Sequence, residues 1–191
     1  MTWEIPSPPP VGPVLETQRL ILRPPRAEDF DAWAAIGIDA EVMRHLGGVQ
    51  PRLTAWRQFL ATVGAWQIQG FAPFSVIEKA SGMWVGRVGP LRPEGWPGTE
   101  IGWTMAREVW GRGYAREAAI AAADWVFAEL GWSQIIHCIA PGNTASQSVA
   151  EKLGSVNRGP GEMPAPHDVD PIEIWGQTRE EWFARKTGDA S

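Results

Sequence analysis

One cysteine, one tyrosine and three histidines are all that 191 residues supply of these types. The lone Cys138, in the apolar run IIHCIA, excludes an intrachain disulfide and reads as a small core residue before it reads as a nucleophile. His45, His137 and His167 are scattered without metal-ligand spacing, so no metal centre is expected. No Ser-His-Asp order suggests an acyl-enzyme. No run approaches the roughly 20 apolar residues of a membrane span, and the opening MTWEIPSPPPVGP lacks the basic end and apolar block of a signal peptide. The expectation is a cytoplasmic protein with no membrane partner. Basic residues are outnumbered 17 to 22, for a net charge of -5, which argues against nucleic acid as a partner. Also missing are the GxxxxGK[ST] phosphate loop and a GxGxxG turn after a first strand with its later acidic residue.

What is present is a chain of globular composition, 44% hydrophobic and 20% charged, long enough for one domain with a real core. Residues 1–13 hold five prolines and read as a mobile tail, leaving 14–191 as the domain. Twelve tryptophans are the compositional excess. Most belong in the core; Trp33, Trp66, Trp84, Trp96 and Trp103 are candidate walls of a pocket, where indole offers area and one donor, with core packing the safer reading for each.

Periodicity gives the elements. A strand is expected over Leu15–Arg23, ended by Pro24-Pro25, then a short helix through AEDFDAWAAIG. Asp39–Pro51 reads as a loop or broken helix. A helix from Leu53 to about Gln69 follows, with Thr54 as a cap and Trp56, Phe59, Leu60, Val63 and Trp66 at helical spacing. Three strands come next, Phe74–Lys79, Met83–Leu91 and Thr99–Met105. The last alternates, with Glu100, Gly102 and Thr104 on one face and Ile101, Trp103 and Met105 on the other. A long helix then runs to Leu130, its apolar stripe made of Ala115, Ala118, Ala119, Ala122, Val126 and Leu130. QIIHCIA is a buried strand, Asn143 opens a helix ending at Gly154, Gly159–Pro166 is a loop, and VDPIEIW is a strand. Thr178-x-x-Glu181 caps a final helix. The class is mixed α/β.

The segment VWGRGYAREA places two glycines and three nearby arginines at a helix start. The first N–H groups of a helix have no intrahelical partner and carry the positive end of its dipole, so they form an anion site. Gly111 and Gly113 clear side chains from the backbone, and Arg107, Arg112 and Arg116 add charge. A plain strand-to-helix turn with solvated arginines is the alternative reading.

The string EIGWTMAREVWGRGYAREA, followed after one helix and one strand by NTASQSVAEKLG, resembles the GNAT superfamily of acyltransferases. It is most similar there to the ribosomal-protein and small-amine N-acetyltransferases, the RimJ/RimL-like group. The opening LETQRLILRPPRAEDF and the ending TREEWFARK are similar to the same group. The resemblance implies a central, mostly antiparallel sheet of six to seven strands, splayed between the fourth and fifth and flanked by four to five helices. It implies acetyl-CoA as co-substrate, with its pyrophosphate on the turn Gly111, Arg112, Gly113, Tyr114, Ala115 and Arg116. Its pantetheine arm would lie along Met105 to Arg107, and Asn143 would be both helix cap and cofactor contact. Trp110 stands where the family signature has Gln or Arg.

An amine acceptor needs a base, and Glu100 is the candidate, with positioning of substrate as its other possible role. A backbone N–H near Trp103 to Met105 is the candidate oxyanion donor. Ser146 matches a serine of the ribosomal-protein subgroup that serves the thiolate, because the tyrosine of many members is Ala150 here. That replacement leaves a second reading open, an inactive acyl-CoA-binding or sensor protein. Direct transfer in a ternary complex, with no metal and with a monomer or homodimer, is expected. The acceptor groove is expected between Ile38–Leu53, the helix through Trp66, and the loop Gly159–Pro166.

Overall fold

Leu20 and Leu22 point to the same side of their strand and are both completely buried, and the sheet is built outward from that alternation. The computed structural model describes residues 11–188. Its strands are β1 (Leu15–Glu16), β2 (Leu20–Arg23), β3 (Phe74–Glu78), β4 (Trp84–Leu91), β5 (Glu100–Met105), β6 (Gln134–Ile139), β7 (Val156–Gly161) and β8 (Ile172–Thr178). They form one sheet in the order β1-β2-β3-β4-β5-β6-β8-β7. Every neighbouring pair is antiparallel except β5 with β6. The helices are α1 (Phe30–Gly37), α2 (Ala40–Met43), α3 (Arg52–Gln69), α4 (Tyr114–Ala128), α5 (Thr144–Leu153) and α6 (Arg179–Gly188).

The mixed α/β class holds, with eight strands where six to seven were expected and six helices where four to five were expected. Two local causes account for the extra strands. Thr17 folds Leu15–Arg23 back on itself, since its N–H donates to the Leu20 carbonyl and its hydroxyl accepts the Leu20 N–H (3.0 and 2.9 Å). Val156–Gly161 pairs with β8 despite its glycine and proline, because a register shift between Asn157 and Pro160 absorbs them. In the region expected to be loop or broken helix, Asp39 accepts the N–H groups of Glu41 and Val42 and so nucleates α2. The expected Thr54 cap is a miss: Pro51 is the N-cap of α3, and its carbonyl takes the Thr54 and Ala55 N–H groups. The expected tail lies outside the described residues up to residue 10. Gly12 packs against the Trp66 ring and Pro24.

One face of the sheet carries α4. Ala118, Ala119, Ala122, Ala123, Val126 and Phe127 are all fully buried against Leu22, Phe74, Val76, Ile101 and Ile135. Alanines let the helix axis approach the sheet closely, so the layer packs without large interdigitating side chains. Tyr114, Ala123 and Phe127 join the expected stripe, while Ala115 and Leu130 sit at its margin. Trp66 is part of this core, not of a pocket wall. On the opposite face α1 and α3 pack through Trp33, Ala34, Ala55 and Phe59. Trp56 and Leu60 of the expected α3 stripe stay 39% and 48% exposed.

β5 and β6 are in register only at Glu100 opposite Ile136. The Ile136 N–H still reaches the Thr99 carbonyl at 2.9 Å. Beyond that pair the strands part, and side chains take up the stranded backbone groups, as buried peptide polar groups require. The Cys138 N–H donates to the Glu100 carboxylate (3.2 Å). His137 Nδ1 donates to the Ile101 carbonyl (2.7 Å), which leaves Nε2 to accept from the Ser155 hydroxyl (3.0 Å). Gln177 Nε2 in turn donates to Ser155 Oγ and to the Leu153 carbonyl, both at 2.9 Å. His137, Ser155 and Gln177 are all buried.

Burial lowers the His137 imidazole to about 4 from 6.5, so it is neutral in the fold. The unfolded chain therefore takes up a proton that the folded chain refuses as pH drops below 6.5. Stability is full above that value and falls by about 3 kcal/mol as pH approaches 4. Urea denaturation across pH 7 to 4 should show this loss, and His137→Gln should flatten its slope relative to the unaltered chain.

Candidate active site

The α4 entrance is built by two glycines in the left-handed region, Gly111 at φ 75° and Gly113 at φ 78°. That conformation is strained for any residue with a Cβ. A Cβ at Gly111 would meet nothing within 4 Å, and one at Gly113 only the tip of Arg19, at 3.6 Å, so the backbone is open to approach. No side chain caps α4. By contrast α2, α5 and α6 are capped by Asp39, Asn143 and Thr178. Among the described residues no group accepts the N–H of Gly111, Gly113, Tyr114, Ala115 or Arg116. These donors, with the helix dipole behind them, form an anion cradle.

Side chains around the cradle fix its shape. Tyr114 is buried and its hydroxyl donates to Glu78 on β3 (2.6 Å), so what this residue offers an anion is its N–H. Arg112 lies 3.4 Å from the same carboxylate. Hydrogen bonds from Ser81 and Tyr114, with the Arg112 charge, hold Glu78 below the usual carboxylate range. Arg107 reaches toward Asp39 at 3.9 Å. Arg116 is exposed, with no ion pair among the described residues. Glu78 was not a sequence candidate, and its role of tying the turn to β3 depends on a contact 36 residues away in the chain.

The second part of the site is the gap between β5 and β6. The Ala106 N–H donates to Val85 on β4, so ladder alternation turns the peptide groups of Gly102 and Thr104 toward β4 and those of Trp103 and Met105 toward the gap. The Met105 carbonyl is taken by Trp110 Nε1 (3.0 Å), and the Met105 side chain is in the core. What remains on this edge is the Trp103 peptide and the Met105 N–H. Across the gap, the Asn143 carboxamide oxygen accepts the Ser146 N–H (3.1 Å), leaving its NH2 unengaged among the described residues. Ser146 Oγ accepts from Trp103 Nε1 (3.2 Å), which leaves the serine proton available to donate. Ala150 is fully buried beside Ile139 and Trp175. Ser146, one turn earlier, is the α5 hydroxyl that meets Trp103.

Glu100 lies at the vertex of the gap on the face away from α4. Its carboxylate accepts from Trp96 Nε1 (2.6 Å) and from the Cys138 N–H. Burial raises its carboxyl above the usual range, and these bonds offset only part of that. Trp96 in turn meets the ring of His167 at 5.6 Å, and Gly95 packs on Pro164. The loop thus lies beside the segment whose Trp96 holds Glu100. On the other side, His45 comes within 3.8 Å of a Cβ built on Gly142, so the segment after α2 spans the mouth of the gap.

An uncapped helix opening thus lies beside two parted strands that are paired, in parallel, at a single position. Residues 19–156 match the acetyltransferase (GNAT) domain model. The chain belongs to the GNAT acetyltransferase family. It is 35% identical to the uncharacterized protein YkkB of Bacillus subtilis over 73% of this chain and 83% of that one. An acetyltransferase structure from Agrobacterium tumefaciens superposes with a TM-score of 0.77 at 26% identity, covering 94% of this chain and 98% of that one. The ribosomal α-N-protein acetyltransferase RimL in complex with coenzyme A shares the fold, with a TM-score of 0.72 at 12% identity over 87% and 98% of the two chains. GNAT members are acetyl-CoA-dependent acetyltransferases, and the anion cradle suits the phosphates of that co-substrate.

Three polar residues that no motif singled out also face this half of the molecule: Gln50, Gln58 and Arg87. The one signal for Arg87 was a cation in the middle of the apolar strand WVGRVGPL. Cys138 is no nucleophile. Burial and the adjacent Glu100 carboxylate push its thiol far up, so alkylation of the folded protein at pH 8 should be about a hundredfold or more slower than that of free cysteine. Urea should restore the ordinary rate.

Proposed function

We propose that this GNAT enzyme acetylates a primary amine by direct transfer from acetyl-CoA in a ternary complex. The observation that carries the reading is the placement of two proton-handling groups on opposite sides of one gap. Glu100 is a carboxylate with a raised affinity for protons on the face away from α4. Ser146 is a hydroxyl with its proton free on the α5 side.

In this reading the cradle from Gly111 to Arg116 binds the pyrophosphate, with Arg107 and Arg112 released from Asp39 and Glu78 to add charge. The unengaged NH2 of Asn143 gives a further donor. The amine nitrogen attacks the thioester carbonyl, and the Trp103 N–H stabilises the oxyanion. Glu100, directly or through one water, takes the proton the amine sheds. As the C–S bond breaks, Ser146 donates its proton to the thiolate, and Trp103 Nε1–H stabilises the serine oxygen left behind. The N–C bond forms as the C–S bond breaks, and the serine regains its proton through water from the one Glu100 took, so the net transfer is one proton from the amine to sulfur. Met105 offers its N–H to the gap, because only its carbonyl is already bonded.

Calorimetric titration with acetyl-CoA should show saturable binding that Gly113→Glu abolishes while thermal melting still shows a folded chain. Undiminished binding in that variant would remove the cofactor from the turn. In an assay of thiol release with an amine panel, Glu100→Gln should lower kcat by about 10²–10⁴-fold. In the unaltered enzyme kcat/KM should fall as pH drops through the raised Glu100 value, and the variant should lose that acid limb. A limb that persists in Glu100→Gln would assign the base elsewhere.

A further inference from the structure

Four side chains form one row across the sheet on the face away from α4. Register pairs Arg23 with Ser75, Ser75 with Arg87, and Arg87 with Thr104, and paired residues share a face. Glu100 and Gly102 lie on this same face, further along β5. The row contains two arginines, and the fold neutralises only one.

Arg23 is met by Asp29 through two bonds, at 2.7 and 2.8 Å. Asp29 also accepts the Arg26 N–H (2.8 Å) and the Ser75 hydroxyl (2.7 Å). That carboxylate is fully engaged. Arg87 has no hydrogen bond and no carboxylate partner among the described residues; its guanidinium lies 4.3 Å from the centre of the Trp33 ring. It is half-buried, and removal from water lowers its guanidinium to about 10. A cation drawn out of water with no counter-charge is costly to fold around.

The surroundings of Arg87 indicate what completes it. Arg87, Gln50 and Gln58 converge on one pocket whose walls include Trp33, Met43 and Trp84. Neither glutamine side chain has a hydrogen-bond partner among the described residues, so each has NH2 donors to spare. The pocket volume is about 10 Å³, room for one water-sized group. It takes an oxygen atom, not a whole ligand. The remainder of the molecule would lie along the sheet toward Gly102 and Glu100. Arg87 and Gly102 are one strand and two residues apart, roughly 8 Å between Cα atoms.

From this geometry we infer that the acceptor is a small amine that also carries a carboxylate, and that Arg87, with Gln50 and Gln58, binds that carboxylate while the amine reaches Glu100. The inference rests on the amine-transfer reading above and narrows its substrate class to amino acids. A simple polyamine or a protein amine without a nearby carboxylate leaves Arg87 uncompensated. Arg87 is a specificity residue here, because its planar fork matches a carboxylate.

The test uses a series of ω-amino acids, glycine, β-alanine, 4-aminobutyrate and 6-aminohexanoate, each beside its primary amide. Acetyl transfer should favour the best acid over its amide by about tenfold or more in kcat/KM, through KM. Arg87→Gln should erase that preference by raising KM for the acid. A second readout needs no turnover: calorimetric titration with the N-acetylated acids and amides, where the acid should bind more tightly in the unaltered chain and equally in Arg87→Gln. Gln58→Leu, at a solvent-touched helix position, should weaken the preference and serves if Arg87→Gln fails to fold. Acids and amides that bind and react alike, or a preference that survives both substitutions, overturn the inference. Amines acetylated without regard to their carboxylate sink the subsite alone. No acetylation of any amine, with Arg87-dependent binding of the N-acetyl acids, keeps the subsite and sinks the transfer reading.

Discussion

The rest of the structure depends on a sheet that stops pairing in its own middle. After Glu100 meets Ile136, the backbones of β5 and β6 separate, and each peptide group exposed by that separation must find a partner or pay a desolvation cost of about 1–3 kcal/mol. The fold meets this with side chains. His137 satisfies the Ile101 carbonyl and Glu100 satisfies the Cys138 N–H. The Trp103 peptide and the Met105 N–H are left facing the gap, where a substrate can use them. The same separation thus creates the cleft and sets the limit to which it can be closed by the protein itself.

That constraint explains why the chemistry-bearing groups are where they are. Glu100 sits at the vertex because the vertex is where a carboxylate can replace a ladder bond, and its burial there is what raises its proton affinity. His137, by the same burial, is held neutral with both nitrogens engaged, so it is a structural strut. Ser146 is brought to the gap by Asn143, whose side chain caps α5 through the Ser146 N–H. The α4 entrance is the opposite case, a helix start that no side chain caps. Its open donors and the parted strands adjoin through the short turn Arg107–Val109, so one extended ligand can touch both.

Several of these features were legible in the residues. The glycine pair before α4, the alternation of EIGWTM and the Asn-initiated helix are local patterns, and each places its side chains by geometry that spans a few residues. The strand at Val156–Gly161 was not legible, since its glycine and proline read as loop and only pairing with β8 overrides them. The Thr54 cap failed for a similar reason: a hydroxyl at the right spacing lost to the Pro51 carbonyl, which the preceding loop had already positioned. Trp66, a candidate wall for which core packing was the safer reading, is core, packed on Phe74 and Trp125. Arg87 carried no motif, and its lack of a partner appears only once Arg23 and Ser75 are seen to consume Asp29.

The sequence by itself determined the α/β class, the family, the glycine turn that opens α4 and the short list that included Glu100 and Ser146, because helix starts, strand alternation and motif spacing are set by neighbours in the chain. Tertiary structure decided which backbone groups are left open, which carboxylates are spent and which arginine is not. Those are questions of long-range pairing, and a residue's hydrogen-bond partners tens of positions away leave no trace in its local pattern.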